Sequence, residues 1–365
     1  MFKTKLGLNG KFVRPWNFGD GSWAPPPRVI FLIVNNSCNA RCIMCDIGLR
    51  NKDSSFYHNF IQTEQQEFGL DLAARLCDET KGYRPRIHIN GVEPLLHKDI
   101  AGIINLFKSN GHFVQVITNG ILLAAQAEQI VKSGLDILRV SVDGVGEIHD
   151  KIRGPGVYQQ VIRGLQAVSQ AKIKLGASKP RIIANYTITN FNHDHLADFT
   201  REFLRAGLVD GIQFKHMYFV TEAMSDLHNR LFSHLGPATP TNLGKVDLSR
   251  IDVDILWTQY RIARKIGFLR VDFWPNLISR EMMLKYYQRP EETINGRMCL
   301  TPWKSVHVLP NGETIIRSRC LEYKTGNLLE ATLNDIWQNE HYQAFRKELR
   351  KHGTFPVCKR CCGVF

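Results

Sequence analysis

The sequence lacks any long apolar run. Its 365 residues are 44% hydrophobic, yet the longest purely apolar run near the start, VIFLIV, is far too short to cross a bilayer. The N-terminus also lacks the apolar stretch of a secretory signal. The length favours about two domains with a large buried core. We therefore expect a globular, cytoplasmic protein.

The sequence also lacks a concentrated block of basic residues. Lys and Arg exceed Asp and Glu by 13, which suits an anionic substrate, an acidic partner protein or nucleic acid, although a generally basic surface explains it equally well. Aromatic residues are not interleaved with Lys and Arg on any visible strand pair. Nucleic-acid binding is therefore disfavoured.

The first group of cysteines lacks a fourth member. Residues 38–45 read CNARCIMC and supply Cys38, Cys42 and Cys45. A structural zinc site or an ordinary iron-sulfur cluster takes four protein ligands, so three thiols at this spacing indicate a metal site with one open position. A zinc site completed by a distant residue is the alternative.

Nine cysteines in a cytoplasmic protein indicate metal binding and not a disulfide framework, because cytosolic thiols stay reduced. Cys77 stands alone at helical spacing among leucines and is predicted to be a small buried core residue. The remaining five form a second group near the C-terminus: Cys299, Cys320, Cys358, Cys361 and Cys362.

Short apolar, β-branched runs alternate with amphipathic segments between residues 29 and 220. The six runs are VIFLIV, RIHIN, FVQVITN, ILRVSVD, IIANYTIT and GIQFKHMYF. Six strands separated by helices predict an α/β fold with a parallel sheet, open or curled into a partial barrel, whose active site lies at the C-terminal ends of the strands. The first cysteine group follows the first strand and so lies at that edge.

The chain divides into four regions. Residues 1–28 are expected to form an arm across the outside of the fold, with a substrate lid or a membrane contact through Trp16 and Trp23 as alternatives. Residues 29–220 form the barrel, and residues 221–298 are a less regular connecting region.

Residues 299–365 have a different character and are expected to form a small cysteine-rich α+β module. A strand, an Asn-Gly turn and a second strand are followed by one helix that begins after Thr332 and ends at Gly353. The thiols of the second cysteine group supply the additional cross-linking that a module of this small size needs for stability.

The CxxxCxxC pattern after the first strand of a βα domain resembles the radical S-adenosylmethionine (SAM) superfamily. The resemblance implies a partial (β/α)6 TIM-like barrel in which three thiolates hold a [4Fe-4S] cluster and SAM chelates its fourth iron. Reductive cleavage of SAM would then give a 5′-deoxyadenosyl radical that abstracts a hydrogen atom from the substrate. A reducing partner such as flavodoxin or ferredoxin is implied as well.

Further motifs follow on successive predicted strands. INGVEPLL is similar to the family's GGEP element, whose backbone and glutamate receive the SAM ammonium, except that Val92 replaces the second glycine. ITNG, VSVDG and HDKIRG resemble the family's ribose- and carboxylate-contacting positions. The positions to which the resemblance assigns SAM binding are Gly91, Val92, Glu93, Pro94, Asn119, Ser141 and Arg153.

The second cysteine group resembles the SPASM/twitch extension found on many of these enzymes. Full SPASM modules carry seven cysteines for two auxiliary clusters, so five imply one auxiliary [4Fe-4S] cluster. The implied ligands are Cys299, Cys320, Cys358 and Cys361. Cys362 is then a buried spacer, a substitute ligand or a catalytic thiol that returns a hydrogen atom to a substrate radical. A zinc ribbon is the alternative for this module.

The implied activity is dehydrogenation or epimerisation of a small substrate. A short module with one auxiliary cluster resembles enzymes that act on sugars and aminocyclitols. Many SPASM relatives modify peptides instead, often with an N-terminal leader-binding domain of several dozen residues, whereas 28 residues precede the first strand here. We expect a small polar or anionic substrate, such as a sugar or aminocyclitol derivative. The alternatives are a peptide-modifying enzyme and, in another class, a basic zinc-containing nucleic-acid-binding protein.

Overall fold

The computed structural model describes residues 20–61, 65–294, 298–317 and 319–364, without the side chain of Cys362. The described chain forms a ten-stranded sheet in the order β10-β9-β8-β1-β2-β3-β4-β5-β6-β7. The strands are β1 Val29–Leu32, β2 Arg86–Ile89, β3 Val114–Thr118, β4 Ile137–Ser141, β5 Arg181–Ile188, β6 Gly211–His216, β7 Val271–Trp274, β8 Ser305–Val308, β9 Glu313–Ile315 and β10 Lys324–Asn327.

Helices connect and flank these strands, as the alternating pattern predicts. The α-helices of the described residues are α1 Ser55–Phe60, α2 Leu70–Thr80, α3 Ile100–Ser109, α4 Leu123–Lys132, α5 Glu147–Arg153, α6 Val157–Lys174, α7 Leu196–Arg205, α8 Glu222–Phe232, α9 Val253–Gly267, α10 Arg280–Gln288, α11 Leu333–Gln338 and α12 Glu340–His352. Among the described residues, no helix is both long and apolar enough to span a membrane.

The α/β fold with a partial TIM-like barrel and a small C-terminal module is confirmed. All six predicted strands form, and each pairs in parallel with the next. The sheet is also longer than predicted, because β7 adds a parallel strand from the connecting region and β8 pairs in parallel with β1. The module thus continues the sheet of the barrel through the antiparallel pairs β8 with β9 and β9 with β10.

The strand β4 shows how the sheet separates a core face from an open face. Leu138 and Val140 are fully buried in the hydrophobic core, whereas Arg139 between them is half-buried on the opposite face. Arg139 donates hydrogen bonds to Gln115 on β3 (3.3 Å) and to Gln213 on β6 (3.2 Å). Because one side chain reaches strands on both sides of its own, this face is the concave inside of the partial barrel.

The prediction of one helix between Thr332 and Gly353 is wrong. The segment contains two helices, α11 and α12, which are separated at Asn339. Asn339 has an extended backbone (φ −70°, ψ 172°), and its side chain accepts a hydrogen bond from the backbone N–H of Tyr342. An asparagine that caps a new helix in this way competes with continuation of the previous one. Cys77, as predicted, is buried in α2.

The described end of the arm lies against the C-terminal module. The indole N–H of Trp303 donates to the carbonyl oxygen of Gly21, and that of Trp337 to the carbonyl oxygen of Pro25, both at 2.9 Å. Trp23 is 44% exposed. Trp16 lies outside the described residues.

Arg360 connects the loop that carries Cys358 and Cys361 to α10 through hydrogen bonds. Its side chain is fully buried, and its guanidinium donates to five backbone carbonyl oxygens at 2.5 to 2.9 Å. The acceptors are the carbonyls of Lys285, Tyr286, Arg289, Glu292 and Lys359. A cation here satisfies carbonyls at the C-terminal end of a helix and opposes the negative end of its dipole. The loop and α10 therefore stabilise each other.

We predict that Arg360→Met lowers the free energy of unfolding by at least about 3 kcal/mol, because each hydrogen bond from a charged donor contributes about 1.5–3 kcal/mol. Anaerobic urea denaturation would measure it. Arg163→Met, an exposed change on α6, is the control and should stay within about 0.5 kcal/mol. Equal effects of the two substitutions would contradict the role of Arg360.

Candidate active site

The three cysteines of the first group lie on the loop between β1 and α1. The backbone N–H of Cys45 donates to the carbonyl of Cys42 (3.2 Å), and that of Ala40 to the Sγ of Cys38 (3.4 Å). Burial raises the pKa of Cys42 to about 12, and desolvation by the surrounding chain raises that of Cys38, which is still partly open to solvent, to about 11. Thiols with such raised pKa values become thiolates at neutral pH only beside a positive group, which bound iron supplies. The donor set fits a cluster with three protein ligands.

The connecting region is hydrogen-bonded to this loop at two points. The backbone N–H of Lys245 donates to the carbonyl of Ile43 (2.9 Å). The buried Asp46 accepts from the hydroxyl of Ser54 (2.7 Å) and from the backbone N–H of Asn242 (2.9 Å) through Oδ2. The sequence pattern gave no sign of these contacts, because they join segments about 200 residues apart.

Glu93 ties the end of β2 to the end of β3. Its carboxylate is buried and accepts from the backbone N–H groups of Leu95 (3.0 Å) and Asn119 (2.7 Å) and from the hydroxyl of Thr118 (2.6 Å). Burial nevertheless raises the pKa of Glu93. A cation beside the carboxylate would offset that cost, so the site fits an ammonium group.

The residues next to Glu93 shape the turn. Gly91 has φ +116°, and a Cβ there would lie 2.9 Å from Ile33 Cγ1, so the position requires glycine. Val92 is half-buried, and the buried Pro94 begins the short turn of 3₁₀ helix that Glu93 caps.

Arg153 points at the first cysteine group. Its Nε donates to Asp143 Oδ2 at 2.6 Å, and its NH1 lies 3.6 Å from Cys42 Sγ. Asp143 is fully buried and also accepts from the backbone N–H of Thr187 through Oδ1 (2.7 Å). The guanidinium is therefore oriented by a carboxylate that is itself fixed, and it presents positive charge to the sulfur of Cys42.

Asn119 and Ser141 lie at the ends of neighbouring strands. The Asn119 side chain donates to Asn39 Oδ1 (2.8 Å) and approaches Cys38 Sγ at 4.0 Å. Ser141 is half-buried at the end of β4, in register with Asn185. The structure thus brings the predicted SAM positions of the third strand to the first cysteine loop, and places Ser141 on the same sheet edge.

Four thiols of the second group come together around Arg317. The NH2 of Arg317 lies 3.1 Å from Cys361 Sγ. Burial and the neighbouring Cys361 raise the pKa of Cys299, and a hydrogen bond with Cys361 together with burial raises that of Cys320. Burial also raises the pKa of Cys358, and the neighbouring Cys299 and Cys361 raise that pKa further. Such a set needs a positively charged group to become thiolates.

Gly363, two residues after Cys361, packs against the thiols of the second group, since a Cβ at this position would lie 2.9 Å from Cys299 Sγ. The side chain of Cys362 lies outside the described part of the chain. In that part, no three His, Cys, Asp or Glu side chains are arranged to hold a single metal ion.

Two hydrogen bonds connect the two cysteine groups through one asparagine. The backbone N–H of Asn242 donates to Asp46, which follows Cys45 in the chain. Arg319, which precedes Cys320, donates through NH1 to the side-chain oxygen of Asn242 (3.1 Å).

A polar layer crosses the concave face of the barrel below these sites. Arg139 donates to the side-chain oxygens of Gln115, Asn185 and Gln213 at 3.2 to 3.3 Å. Gln213 in turn donates to Asp272 on β7 (3.3 Å). Arg139 and Ser141 are two residues apart and therefore lie on the same face of β4. The layer thus lies about 7 Å below the strand end.

Sequence reasoning missed Arg139, Asp143 and Arg317. Arg139 offered a signal, because a charged residue that alternates with apolar ones in a strand marks a polar face. Asp143 stands in the same VSVDG motif as Ser141, but only its contact with Arg153 reveals what it does. Arg317 has no local signal.

A family model for the radical SAM superfamily matches residues 32–202, and a model for SPASM, described as an iron-sulfur cluster-binding domain, matches residues 299–362. The SPASM match favours iron over zinc in the second cysteine group. It also removes the basis of the zinc-containing nucleic-acid-binding alternative.

Known proteins resemble the chain over different lengths. A tungsten-containing aldehyde ferredoxin oxidoreductase cofactor-modifying protein from Pyrococcus furiosus is 21% identical over 350 residues, 92% of this chain and 87% of that protein. The Fe-coproporphyrin III synthase of Methanosarcina barkeri is 29% identical over 150 residues, 40% of this chain and 35% of that protein. The chain thus matches little more than a third of the second relative.

Solved structures share the fold. Streptococcus suis SuiB bound to S-adenosylmethionine superposes with a TM-score of 0.60 at 15% identity, over 93% of this chain and 73% of that one. Native anSMEcpe with bound AdoMet gives 0.57 at 15% identity, over 87% and 82%. The partial barrel, its three-thiol loop and the two family matches agree. The chain belongs to the radical SAM superfamily, carries a C-terminal SPASM iron-sulfur domain, and has SAM and [4Fe-4S] clusters as its cofactors.

Proposed function

We propose that this protein is a radical SAM oxidoreductase or epimerase that acts on a small anionic substrate bound on the concave face of its barrel. When bound, SAM and its cluster supply the 5′-deoxyadenosyl radical that takes the substrate hydrogen atom. The residues of the chain hold the cofactors, orient the substrate and exclude water. The observation that carries the substrate class is the half-buried Arg139, whose own hydrogen-bond acceptors are all uncharged.

The SAM site of this proposal lies along the ends of β2, β3 and β4. Glu93 receives the ammonium, because its buried carboxylate accepts three hydrogen bonds from the chain and none of these donors is a cation. Asn119 and Ser141 contact the ribose, while Arg153 supports the carboxylate end. Gly91, Val92 and Pro94 shape the turn that carries Glu93.

The metal ligands of this proposal are the two sets of thiols. Cys38, Cys42 and Cys45 hold the cluster that binds SAM. One auxiliary cluster takes the second set, Cys299, Cys320, Cys358 and Cys361. In each set an arginine contacts one sulfur, Arg153 at Cys42 and Arg317 at Cys361. The positive charges favour the thiolate forms that iron requires.

Charge on the concave face favours an anionic group in the substrate. The three side chains that accept from Arg139 are uncharged, and the neighbouring Asp272 makes no direct hydrogen bond to it in the described part of the chain, so a carboxylate or phosphate can still pair with the guanidinium in bidentate geometry. The nearby His88 has its pKa lowered to about 4, by burial first and then by Arg139, Arg86 and Lys215. His88 is therefore neutral at pH 7 and adds no positive charge of its own, which leaves Arg139 to bind the anionic group.

A small substrate also agrees with the relative from Pyrococcus furiosus, which covers most of both chains and is named as a cofactor-modifying protein. A sugar or aminocyclitol derivative with a carboxylate or phosphate meets these requirements. Epimerisation requires a donor that returns a hydrogen atom to the substrate radical, whereas dehydrogenation does not. If the enzyme is an epimerase, we assign this role to the thiol of Cys362. The electron that starts each turnover comes from a carrier such as flavodoxin or ferredoxin.

We expect Arg139→Met to reduce substrate turnover about 10- to 100-fold, the range of a charge-assisted hydrogen bond. Uncoupled 5′-deoxyadenosine formation with dithionite should change little. Metabolite fractions from an anion-exchange column would be tested for substrates that stimulate 5′-deoxyadenosine formation. Arg163→Met, an exposed change on α6, is the control. Stimulation by neutral or peptide fractions alone would contradict the proposed substrate class.

Glu93→Gln should weaken SAM binding by roughly 1.5–3 kcal/mol without loss of iron, because it removes the charge that faces the ammonium. An equilibrium titration with SAM would measure the loss. Thr118→Val removes one hydrogen bond to Glu93 but keeps the carboxylate, so it should lower SAM affinity much less. Unchanged affinity in the Gln variant would refute the assignment of Glu93.

Cys361→Ala should remove the auxiliary cluster, whereas Cys362→Ala should retain it, because Cys361 Sγ lies beside Arg317 and Cys320. Iron and sulfide analysis of both variants would show this. Loss of product turnover and of deuterium uptake from heavy water only in Cys362→Ala, with normal SAM cleavage, would identify an epimerase. Retention of the cluster in Cys361→Ala and its loss in Cys362→Ala would reverse the ligand assignment.

A further inference from the structure

An open pocket with basic walls lies on the outer side of the first cysteine loop. Its volume is about 320 Å³, and its lining residues are Arg41, Ile43, Gly48, Leu49, Arg50 and Lys245. The side chains of Arg41, Arg50 and Lys245 are exposed. In the described ranges, no carboxylate pairs with any of the three cations. The acid next in the chain, Asp46, is buried and bound by Ser54 and Asn242.

Gly48, which lines the pocket, packs against the backbone of Cys42, one of the three proposed cluster ligands. A Cβ at Gly48 would lie 2.7 Å from the backbone nitrogen of Cys42, so the two segments are in direct contact. One wall is held in place by the hydrogen bond from the Lys245 backbone N–H to the Ile43 carbonyl. A molecule seated here would therefore contact the loop that carries Cys38, Cys42 and Cys45.

We propose that this basic pocket is the docking site for an acidic one-electron carrier protein that reduces the cluster on Cys38, Cys42 and Cys45. The inference rests on the proposed function, which requires an external electron. One electron leaves the reduced carrier and enters the cluster, so the carrier is oxidised by one electron and the cluster reduced by one. Carboxylates of the carrier pair with Arg41, Arg50 and Lys245.

Three features favour a protein over a small anion as the occupant. The cations are exposed around an open recess, as at an interface rim, and are not enclosed as in a small-molecule site. The pocket abuts the cluster loop, where an electron must arrive. Unpaired surface cations also steer an acidic partner over long range, an effect that salt screens.

The test compares two reductants in the reconstituted full-length protein. The double variant Arg50→Asp, Lys245→Glu reverses two charges and leaves Arg41, between two cysteines, untouched. With reduced flavodoxin at low ionic strength, we expect its rate of 5′-deoxyadenosine formation to fall at least tenfold. With dithionite, a small reductant that needs no docking, the rate should stay within about twofold. The wild-type rate with flavodoxin should fall as salt is added.

The matched control is Arg163→Asp, Arg205→Glu, which reverses two exposed charges on the barrel helices α6 and α7. It should keep its rate with both reductants. An equal loss in this control, an unchanged rate with flavodoxin in the test variant, or equal loss with dithionite would overturn the proposal. So would a wild-type protein that neither flavodoxin nor ferredoxin reduces.

Two further results separate this proposal from others. Binding of inorganic phosphate that the double variant loses, with carrier-driven rates unchanged, would assign the pocket to a small anion and overturn the proposal. A wild-type protein that cleaves SAM with both reductants but converts no anionic substrate would contradict the substrate proposal. That outcome supports the docking site if the double variant loses only the flavodoxin-driven rate.

Discussion

The hydrogen bonds of Asn242 fix the two cysteine loops relative to each other. Its backbone binds Asp46 beside Cys45, and its side chain binds Arg319 beside Cys320. Asn242 has φ +57°, in the left-handed region that asparagine tolerates better than most residues. The pairing of β8 with β1 sets the coarse position of the module. The asparagine then joins the residues next to a thiol of each group.

In both cysteine groups an arginine offsets the cost of ionising a thiol in an apolar environment. A thiol in an apolar environment resists ionisation, and each group has a guanidinium against one of its sulfurs. Arg153 is held by Asp143, which the backbone of β5 fixes in turn. Arg360, which is fully buried, makes its hydrogen bonds to five backbone carbonyls.

Local patterns in the sequence predicted much of the fold, because period and turn chemistry are local properties. The six barrel strands and the hairpin of β8 and β9 were found in this way. β7 was not, since VDFW is too short to be distinctive, and the pairing of β8 with β1 joins segments more than 270 residues apart. The helix prediction across Asn339 failed because a capping side chain overrode a continuous amphipathic pattern.

The candidate site shows the same division. Cysteines at short spacing and polar residues at strand ends are visible in the sequence. The roles of Arg139, Asp143 and Arg317 are not, because each depends on partners on other strands or loops. The ligand and SAM assignments remain predictions, as does the role of Cys362.

The contacts of Asn242 and Lys245 with the first cysteine loop bear on the order of events during synthesis. The first cysteine loop leaves the ribosome early, but its contacts with Asn242 and Lys245 come some 200 residues later, and the strand β8 that pairs with β1 later still. The loop therefore cannot take its final conformation on a nascent chain that holds the first barrel strands alone. The native geometry of the three thiols is complete only after most of the polypeptide has been made, and a metal site that depends on this geometry forms among the last steps of maturation.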